Sequence, residues 1–439
     1  MKFYSTNGKS DGVTFLEAAE TGLAPDGGLY MPNSLPKLSL PFNDPESAAG
    51  LTLQEISKQA ARPFLSDSLS INEIDDLIDD AITMEAPLVK LRDDLFVLEL
   101  FHGPTLAFKD FGARFMARLF SKHRSESEKD LIILVATSGD TGGAVASGFY
   151  DLDGVHVCLL FPKGKVSDIQ RKQMTTLGKN ITALEIEGTF DDCQRLVKQA
   201  FSDGNLNTTL RLSSANSINV ARLLPQTFYY LTAYFQLKEF TDKDPVFVVP
   251  SGNFGNLTAG LMAEKMGMPV TAFVAATNRN DVVPEYLLGS EFLPRMSVQT
   301  ISNAMDVGNP SNFERIRALF DGDDTSIRQH IKGYSFSDED TRIMIRKVYD
   351  EYDYVADPHT AVGLLAAEKY SKDFDDRSPI IVLSTAHASK FLDVVENEID
   401  SKVSIPERLA KATRRGEKSH PMSSEYSELK KMLLKTYGI

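Results

Sequence analysis

The chain has 439 residues, of which 42% are hydrophobic and 25% are charged. This length suggests about two or three domains with a large core, and the composition excludes disordered, collagen-like and disulfide-rich proteins. The 47 Lys and Arg residues are outnumbered by 61 Asp and Glu residues. The resulting net charge of −14 disfavours nucleic acid as a partner, because phosphate backbones attract clustered basic residues.

The sequence points to a reducing compartment. Cys158 and Cys193 are too few for a disulfide framework, and the first residues lack the apolar region of a signal peptide. The uncharged stretch at 245–263 is interrupted by Pro250 and several polar residues, which disfavours a membrane-spanning helix. We therefore expect a cytoplasmic protein that contacts no membrane.

Residues 1–94 differ in pattern from the rest of the chain. Gly and Pro punctuate the first fifty residues and predict turns and loops. At 71–81, apolar residues recur at helical spacing while acidic residues occupy the outer face. This pattern predicts an amphipathic helix in a separate N-terminal domain.

From Phe96 onwards, short apolar runs alternate with helical patterns. The predicted buried strands are 96–100, 131–137, 155–161, 181–186, 245–249, 270–275 and 380–383. The predicted helices include 166–177, 190–201 and 218–240, and two closing helices are expected from Arg408 onwards. This alternation predicts an α/β protein with parallel sheets, whose ligands bind beyond the carboxyl ends of the strands.

Two of the predicted strands run into glycine-rich loops. Residues 138–143 read SGDTGG and residues 251–256 read SGNFGN, and helices are expected to begin near Ala144 and Leu257. Such loops present backbone N–H groups, and the following helix adds the positive end of its dipole, so each loop can hold an anion. Neither loop is G-x-G-x-x-G, and the chain has no P-loop motif, which disfavours dinucleotide and P-loop sites.

Lys109 is a candidate nucleophile. It lies between Phe108 and Phe111 at the start of a helical pattern. Partial desolvation would lower its pKa and free its amine for reaction, although a surface lysine covering aromatic rings fits the spacing equally well. A reactive lysine together with a phosphate-binding loop is the minimum equipment for pyridoxal 5′-phosphate.

Six motifs, in this order along the chain, resemble the threonine synthase family. They are GLAPDGGLYMP, PTLAFKDFGARF, ATSGDTGGAVA, SSANSINVARLLPQ, PSGNFGN and LSTAHASKF. The resemblance covers essentially the whole chain. It implies a fold type II pyridoxal-phosphate enzyme, similar to the tryptophan synthase β-subunit, that converts O-phospho-L-homoserine and water to L-threonine and phosphate.

The resemblance also implies how the chain is divided. We expect an N-terminal domain at 1–94, a large cofactor-binding domain at 95–130 and 216–439, and a small substrate-binding domain at 131–215. The large and small domains would each contain an open parallel sheet. The sequence does not define the oligomeric state, and we expect a monomer or a weak homodimer.

The matching motifs imply a set of cofactor-binding residues. Lys109 matches the Schiff-base lysine of the family. Thr385 matches the hydroxyl that meets the pyridine nitrogen, and Asp140 would lie near the phenolic oxygen, where a carboxylate would need a shared proton. The loop that would bind the cofactor's phosphate comprises Gly252, Asn253, Phe254, Gly255 and Asn256.

Two segments are implied to bind the substrate. Ser138 and Thr141 belong to the loop that matches the receptor of the substrate carboxylate. The segment matching the substrate-phosphate site contributes Asn216, Ser217, Asn219 and Arg222. From the residues alone, Asn219 and Arg222 would lie one helical turn apart, with Asn216 and Ser217 at the helix start among unpaired N–H groups. An N-cap followed by a surface arginine fits the same segment.

The sequence departs from the family pattern in its last motif. Ala388 and Ser389 stand where Pro and Ala are expected, and neither His102 nor His387 is assigned a role. No His or Cys spacing indicates a metal site.

The alternative enzyme is a fold type II threonine or serine dehydratase-like ammonia-lyase, which needs no second phosphate site. A non-catalytic binding protein is the third hypothesis.

Overall fold

The computed structural model describes residues 1–44, 47, 50–123, 129–374, 376–413 and 416–438. The strands are β1 (Phe3–Ser5), β2 (Tyr30–Pro32), β3 (Leu88–Arg92), β4 (Leu95–Glu99), β5 (Leu131–Ala136), β6 (Val155–Pro162), β7 (Ile181–Glu187), β8 (Arg211–Ser214), β9 (Val246–Pro250), β10 (Ala272–Thr277), β11 (Ile331–Ser335), β12 (Ile380–Ser384) and β13 (His420–Ser423).

The helices alternate with these strands. They are α1 (Phe15–Thr21), α2 (Leu53–Leu65), α3 (Ile71–Ala81), α4 (Lys109–Lys122), α5 (Asp140–Phe149), α6 (Asp168–Thr175), α7 (Phe190–Ser202), α8 (Gly204–Thr209), α9 (Val220–Leu223), α10 (Gln226–Lys238), α11 (Gly255–Lys265), α12 (Val282–Leu287), α13 (Phe313–Leu319), α14 (Asp324–His330), α15 (Asp338–Tyr352), α16 (Pro358–Asp373), α17 (Leu392–Ile399), α18 (Glu407–Thr413) and α19 (Tyr426–Tyr437).

The larger sheet has the strand order β11-β10-β9-β12-β4-β3. All its neighbours are parallel except β3 and β4, which pair antiparallel. Alternate residues of β9 face opposite sides: Val246 and Val248 join a core with α15, α16 and α17, whereas Phe247 and Val249 join a core with α10 and α11. Burial on both faces explains why these strands are continuous apolar runs in the sequence.

The smaller sheet has the order β13-β7-β6-β5-β8, and every pairing in it is parallel. Ile133 and Val135 of β5 face the core that contains α4 and α5, and Ile132 and Leu134 face a separate core with α7 and α19. The carboxyl ends of the central strands of both sheets open onto the same space, where Pro250, Ala136 and Thr385 line one cavity.

The apolar runs predict the central strands well. All seven predicted strands are present, each within two residues of its predicted ends, and the helix expected at 71–81 is α3. The helix expected at 218–240 is divided into α9 and α10 around Pro225, which has no N–H to donate to a continuous helix. The glycine-rich loops also end sooner than expected, because α5 begins at Asp140 and α11 at Gly255.

Two strands, β3 and β13, lie in a different sheet from the one that the expected domain division implies. β3 lies before residue 94 yet joins the larger sheet, so that sheet reaches into the range expected for the N-terminal domain. β13 pairs with β7, so a strand from the range 216–439, which is expected to form part of the large domain, lies in the smaller sheet. The physical reason is α19, whose Leu429 and Leu433 are buried in the core of the smaller sheet.

The stretch at 245–263 that lacks charge is not one helix. It contains β9, the glycine-rich turn and the first part of α11. Within the described ranges, we find no helix with the length and apolar character needed to cross a membrane.

Candidate active site

Most of the predicted site residues meet in one cavity. Its volume is about 890 Å³, and it lies at the carboxyl ends of β5, β8, β9 and β12. The predicted residues that line it are Lys109, Ser138, Thr141, Asn216, Ser217, Arg222, Gly252, Asn253, Phe254, Gly255, Asn256 and Thr385. Asp140 and Asn219 are not among the lining residues.

Lys109 is the first residue of α4, and the turn before it is rigidly held. The carboxylate of Asp110 accepts hydrogen bonds from the Thr105 backbone N–H (2.8 Å) and from the Thr105 hydroxyl (2.6 Å). The N–H of Phe108 donates to the carbonyl oxygen of Thr385 over 2.9 Å, which ties this turn to the end of β12. These contacts fix where the amine of Lys109 enters the cavity.

The environment of Lys109 makes its amine easier to deprotonate. Burial lowers its pKa from the ordinary 10.5 to about 8. The positive charges of Arg222 and Lys390 act in the same direction, and the negative charge of Asp140 opposes them. Lys109 is therefore not an ordinary surface lysine.

The loop from Gly252 to Asn256 joins β9 to α11 and is tightly constrained. A Cβ atom at Gly252 would lie 2.7 Å from Met305 Cα and 2.8 Å from the Ala304 carbonyl oxygen, so only glycine fits. Phe254 adopts a left-handed conformation with φ of 60° at the start of α11. The side chain of Asn253 donates to the Ser217 hydroxyl and thereby links this loop to the predicted substrate segment.

Two buried donors at the cavity wall have no partner among the described residues. The Oδ1 atom of Asn256 accepts from the hydroxyls of Tyr229 (2.7 Å) and Tyr230 (2.8 Å), but its Nδ2 donates to no described group. The Nε of Arg222 is likewise unpartnered. Because unsatisfied buried donors are costly, these two atoms are candidates to donate to a bound ligand. With Lys109 nearby, this donor set fits the phosphate and aldehyde of pyridoxal 5′-phosphate.

Asp140 forms a buried ion pair that the sequence did not reveal. Its Oδ1 lies 2.5 Å from Lys390 Nζ and accepts from Gln170 Nε2 over 3.0 Å. Burial alone would raise the pKa of Asp140, but the ammonium groups of Lys390 and Lys109 outweigh it and hold that pKa well below its usual value. Asp140 is thus a carboxylate paired with a lysine. Lys390 stands within the LSTAHASKF motif, but its role depends on a contact with a distant segment.

The segment at 216–222 differs from its prediction in two respects. The N-cap of α9 is Asn219, so Asn216 and Ser217 precede the helix rather than begin it. The Nδ2 of Asn219 donates to the carbonyls of Ala19 (2.7 Å) and Ser214 (2.9 Å), and its Oδ1 accepts from Ala221 N–H. These contacts hold the Asn219 side chain behind the cavity, and it is not among the lining residues.

Arg222 is a buried cavity residue. It is 4% exposed, which excludes the surface-arginine interpretation. One of its terminal nitrogens donates to the Ala215 carbonyl, and burial lowers its pKa to about 10, so it remains positively charged at neutral pH. A Cβ at Gly112 of α4 would lie 2.8 Å from its Nε, so α4 can approach this guanidinium closely only with glycine at that position.

The loop at 138–143 presents fewer free N–H groups than expected. The hydroxyl of Thr137 accepts hydrogen bonds from the N–H groups of Gly139 (3.0 Å) and Gly142 (2.8 Å). Ser138 and Thr141 still line the cavity and remain candidates for contacting a carboxylate.

His359 lines the cavity although it was not predicted to do so. Its Nδ1 lies 2.7 Å from an Asp357 oxygen, and its Nε2 accepts from the Ala304 N–H over 3.1 Å. It therefore helps to hold the backbone that covers Gly252. His102 contacts Glu99 and His387 contacts Ser389, and neither is among the residues lining the cavity.

The two open sheets, with Lys109 and the glycine-rich loop 252–256 in one cavity at their carboxyl ends, are the architecture of a fold type II pyridoxal-phosphate-dependent enzyme. A sequence model described as pyridoxal-phosphate dependent enzyme matches residues 83–386. Models of the threonine synthase N terminus and C-terminal region match residues 2–82 and 360–433. The chain belongs to the threonine synthase family.

Individual relatives agree along their whole length. Threonine synthase from Haemophilus influenzae is 40% identical, and the match covers 99% of this chain and 100% of the relative. The crystal structure of the Escherichia coli enzyme has a TM-score of 0.91 at 39% identity, covering 99% of this chain and 100% of that chain. The pyridoxal-phosphate-bound enzyme from Brucella melitensis has a TM-score of 0.90 at 33% identity, with coverage of 100% and 99%.

Proposed function

We propose a division of labour in the cavity for the threonine synthase reaction, in which O-phospho-L-homoserine and water become L-threonine and phosphate. This reaction is the last step of threonine biosynthesis. One observation carries the assignment: two unpartnered donors, Asn256 Nδ2 and Arg222 Nε, belong to the wall of the cavity that Lys109 lines. One donor suits the cofactor's phosphate, and the other suits the phosphate of the substrate.

Lys109 would hold pyridoxal 5′-phosphate through its Nζ. The loop 252–256 would receive the cofactor's phosphate, and the hydroxyl of Thr385 would meet the ring nitrogen. The bound cofactor supplies an electron-withdrawing system that makes the hydrogens on the α and β carbons of the substrate acidic. A neutral hydroxyl from Thr385 does not stabilise a protonated ring nitrogen, so it limits this electron withdrawal.

With the substrate bound, the amine of Lys109 would act as the general base. A pKa of about 8 leaves an appreciable neutral fraction near neutral pH, and this fraction accepts protons from the α and β carbons at Nζ. Ser138 and Thr141 orient the substrate carboxylate. Arg222, with Asn216 and Ser217, holds the γ-phosphate as it departs with the electrons of the carbon–oxygen bond. Water then adds its hydroxyl at the β carbon and gives its proton to the departing phosphate, while the γ and α carbons gain the two protons that Lys109 had taken.

The test is a phosphate-release assay with O-phospho-L-homoserine, with the amino-acid product identified. Changing Arg222 to Leu should reduce phosphate release sharply while the yellow cofactor band remains. An ammonia-lyase acting on L-serine or L-threonine would instead depend little on Arg222. Arg114→Leu is the matched control, because Arg114 donates to the carbonyls of Ala81 and Asp80 outside the cavity.

An Arg222→Leu enzyme that releases phosphate at the wild-type rate would contradict the assignment of the substrate-phosphate site. Thermal unfolding of both variants separates a loss of activity from a loss of fold.

We further propose that the domains follow the sheets, so that the small substrate-binding domain comprises 131–215 together with the C-terminal segment 416–438. The enzyme works in the cytoplasm as a monomer or a weak homodimer. Two observations support these proposals: Cys158 and Cys193 are free and buried, as in a reducing compartment, and β13 pairs with β7, which places the C-terminal segment in the smaller sheet. Light scattering across a concentration series tests the oligomeric state.

A further inference from the structure

Arg315 carries a buried charge that the proposed mechanism does not use. This residue of α13 is 0% exposed, and it is the largest fully buried side chain of the described residues. Burial lowers its pKa to about 9, so the guanidinium still carries its proton at neutral pH. A buried cation normally requires a carboxylate partner. The hydrogen bonds of Arg315 to the described part of the chain go to carbonyl and amide oxygens instead.

These hydrogen bonds hold the backbone of the predicted substrate-phosphate segment in place. One terminal nitrogen donates to the carbonyl of Ser217 (3.2 Å), and the other donates to the carbonyl of Ile218 (2.7 Å). The same guanidinium reaches the Tyr30 carbonyl of β2 over 3.1 Å and the Asn312 side chain over 2.7 Å. Arg315 therefore fastens two consecutive peptide units to β2 and α13.

The hydrogen bond from Arg315 to the Ser217 carbonyl determines the direction of the Ile218 N–H group. In a planar trans peptide the C=O and N–H point in opposite directions. Because the Ser217 carbonyl faces Arg315, the N–H of Ile218 points away from it. Ser217 and Ile218 line the cavity and Arg315 does not. The Ile218 N–H donates to no described backbone group, which leaves it available to an anion in the cavity.

We propose that Arg315 is a positioning residue for the substrate's phosphate. It aims the N–H of Ile218 at the anion beside Arg222 and places an uncompensated positive charge behind that N–H group. The inference rests on the proposed assignment of 216–222 to the substrate phosphate. It adds an electrostatic and orienting role to a residue that touches neither the substrate nor the cofactor.

Arg315→Lys tests the inference in the holoenzyme, because lysine keeps the charge but cannot hold the three carbonyls at once. We expect the KM for O-phospho-L-homoserine and the inhibition constant of inorganic phosphate each to rise about tenfold or more, with a much smaller change in kcat. Arg315→Met, which also removes the charge, should weaken phosphate inhibition further. Arg317→Gln is the matched control, since Arg317 is exposed on the same helix and lies 3.8 Å from Asp324.

Arg222→Leu is measured beside these variants so that two failures can be told apart. If Arg222→Leu leaves phosphate inhibition unchanged, the proposed phosphate site is wrong. If Arg222→Leu weakens it and Arg315→Lys lowers only the melting temperature, the positioning role is wrong and Arg315 is merely structural. A parallel loss in KM and phosphate inhibition at both residues supports the inference.

Discussion

Three charged groups, Asp140, Arg222 and Lys390, lie close to the amine of Lys109, and together with burial they set its pKa. Lys109 and Arg222 line the cavity, while Asp140 and Lys390 form an ion pair behind its wall. Lys390 offsets the charge of Asp140, which would otherwise strengthen proton binding at Lys109. Without Lys390, the pKa of Lys109 would be higher, and a smaller fraction of the amine would be in the neutral form that attacks an aldehyde.

This balance predicts how Lys109 reacts in the apoenzyme. With its pKa near 8, the amine should be modified by an amine-selective reagent with a midpoint near pH 8. Lys390→Met removes a like charge and frees Asp140, so the midpoint should move to higher pH. Peptide mapping across a pH series gives both values, and the exposed lysines of the same protein are the internal control. Equal midpoints at Lys109 and at exposed lysines would contradict the prediction.

The Asp140–Lys390 pair should also matter for stability. Removing either partner leaves the other charge buried and unpaired, which costs about 3–5 kcal/mol. We expect Lys390→Met and Asp140→Asn each to lower the free energy of unfolding by about that amount, and the double variant to lose much less than their sum. Urea unfolding of the three variants measures the coupling. The exposed pair of Lys411 and Glu407 is the control, where a loss of at most about 1 kcal/mol is expected.

At the scale of elements, the sequence predicts what local patterns encode. Strands buried on both faces read as continuous apolar runs, so β5, β6, β9 and β12 could be located from the sequence. The strands β8, β11 and β13 were missed because they are short or carry polar residues at the edge of a sheet. The N-cap at Asn219 was also missed, since Asn216 and Ser217 carry the same capping chemistry three residues earlier.

The same limit applies within the site. Motif order located Lys109 and the loop at 252–256, and both line the cavity. The roles of Lys390, Arg315 and His359 depend on contacts with segments more than fifty residues away, which no local pattern records.

The loop between β9 and α11 gives a prediction at the element scale. Gly252→Ala places a Cβ against the backbone of Ala304 and Met305, so the covering segment must shift. Overpacking of this kind costs about 1–3 kcal/mol, and we expect cofactor affinity to fall by about fivefold to a hundredfold. Gly255→Ala is the matched control in the same loop, because its Cβ would meet the Asn312 side chain at 3.4 Å and the Ser217 Cβ at 3.6 Å, which are ordinary van der Waals contacts. Cofactor titration by absorbance measures both, and equal affinities in the two variants would refute the steric argument.

At the scale of the whole molecule, the N-terminal segment and the carboxyl ends of the two sheets meet at one cavity. Arg315 joins β2 to the segment at 216–218, and the Asp140–Lys390 pair joins the carboxyl ends of the two sheets. The chain also returns from the larger sheet to the smaller one at its C-terminal segment, where β13 extends the sheet beside β7. The catalytic geometry therefore depends on contacts between parts that are far apart in sequence.

Because β13 and α19 belong to the smaller sheet and its core, a substitution in α19 should affect the smaller sheet and not the larger one. Leu429 of α19 is fully buried in the core of the smaller sheet, so Leu429→Ala should lower the free energy of unfolding by about 2–5 kcal/mol. The loosened core lies under β7 and β13, so amide hydrogen exchange should speed up in β7 and stay unchanged in β12. Lys431→Ala, on the exposed face of the same helix, should change neither. Faster exchange in β12 with β7 unaffected would return the C-terminal segment to the large domain, as the sequence pattern had implied.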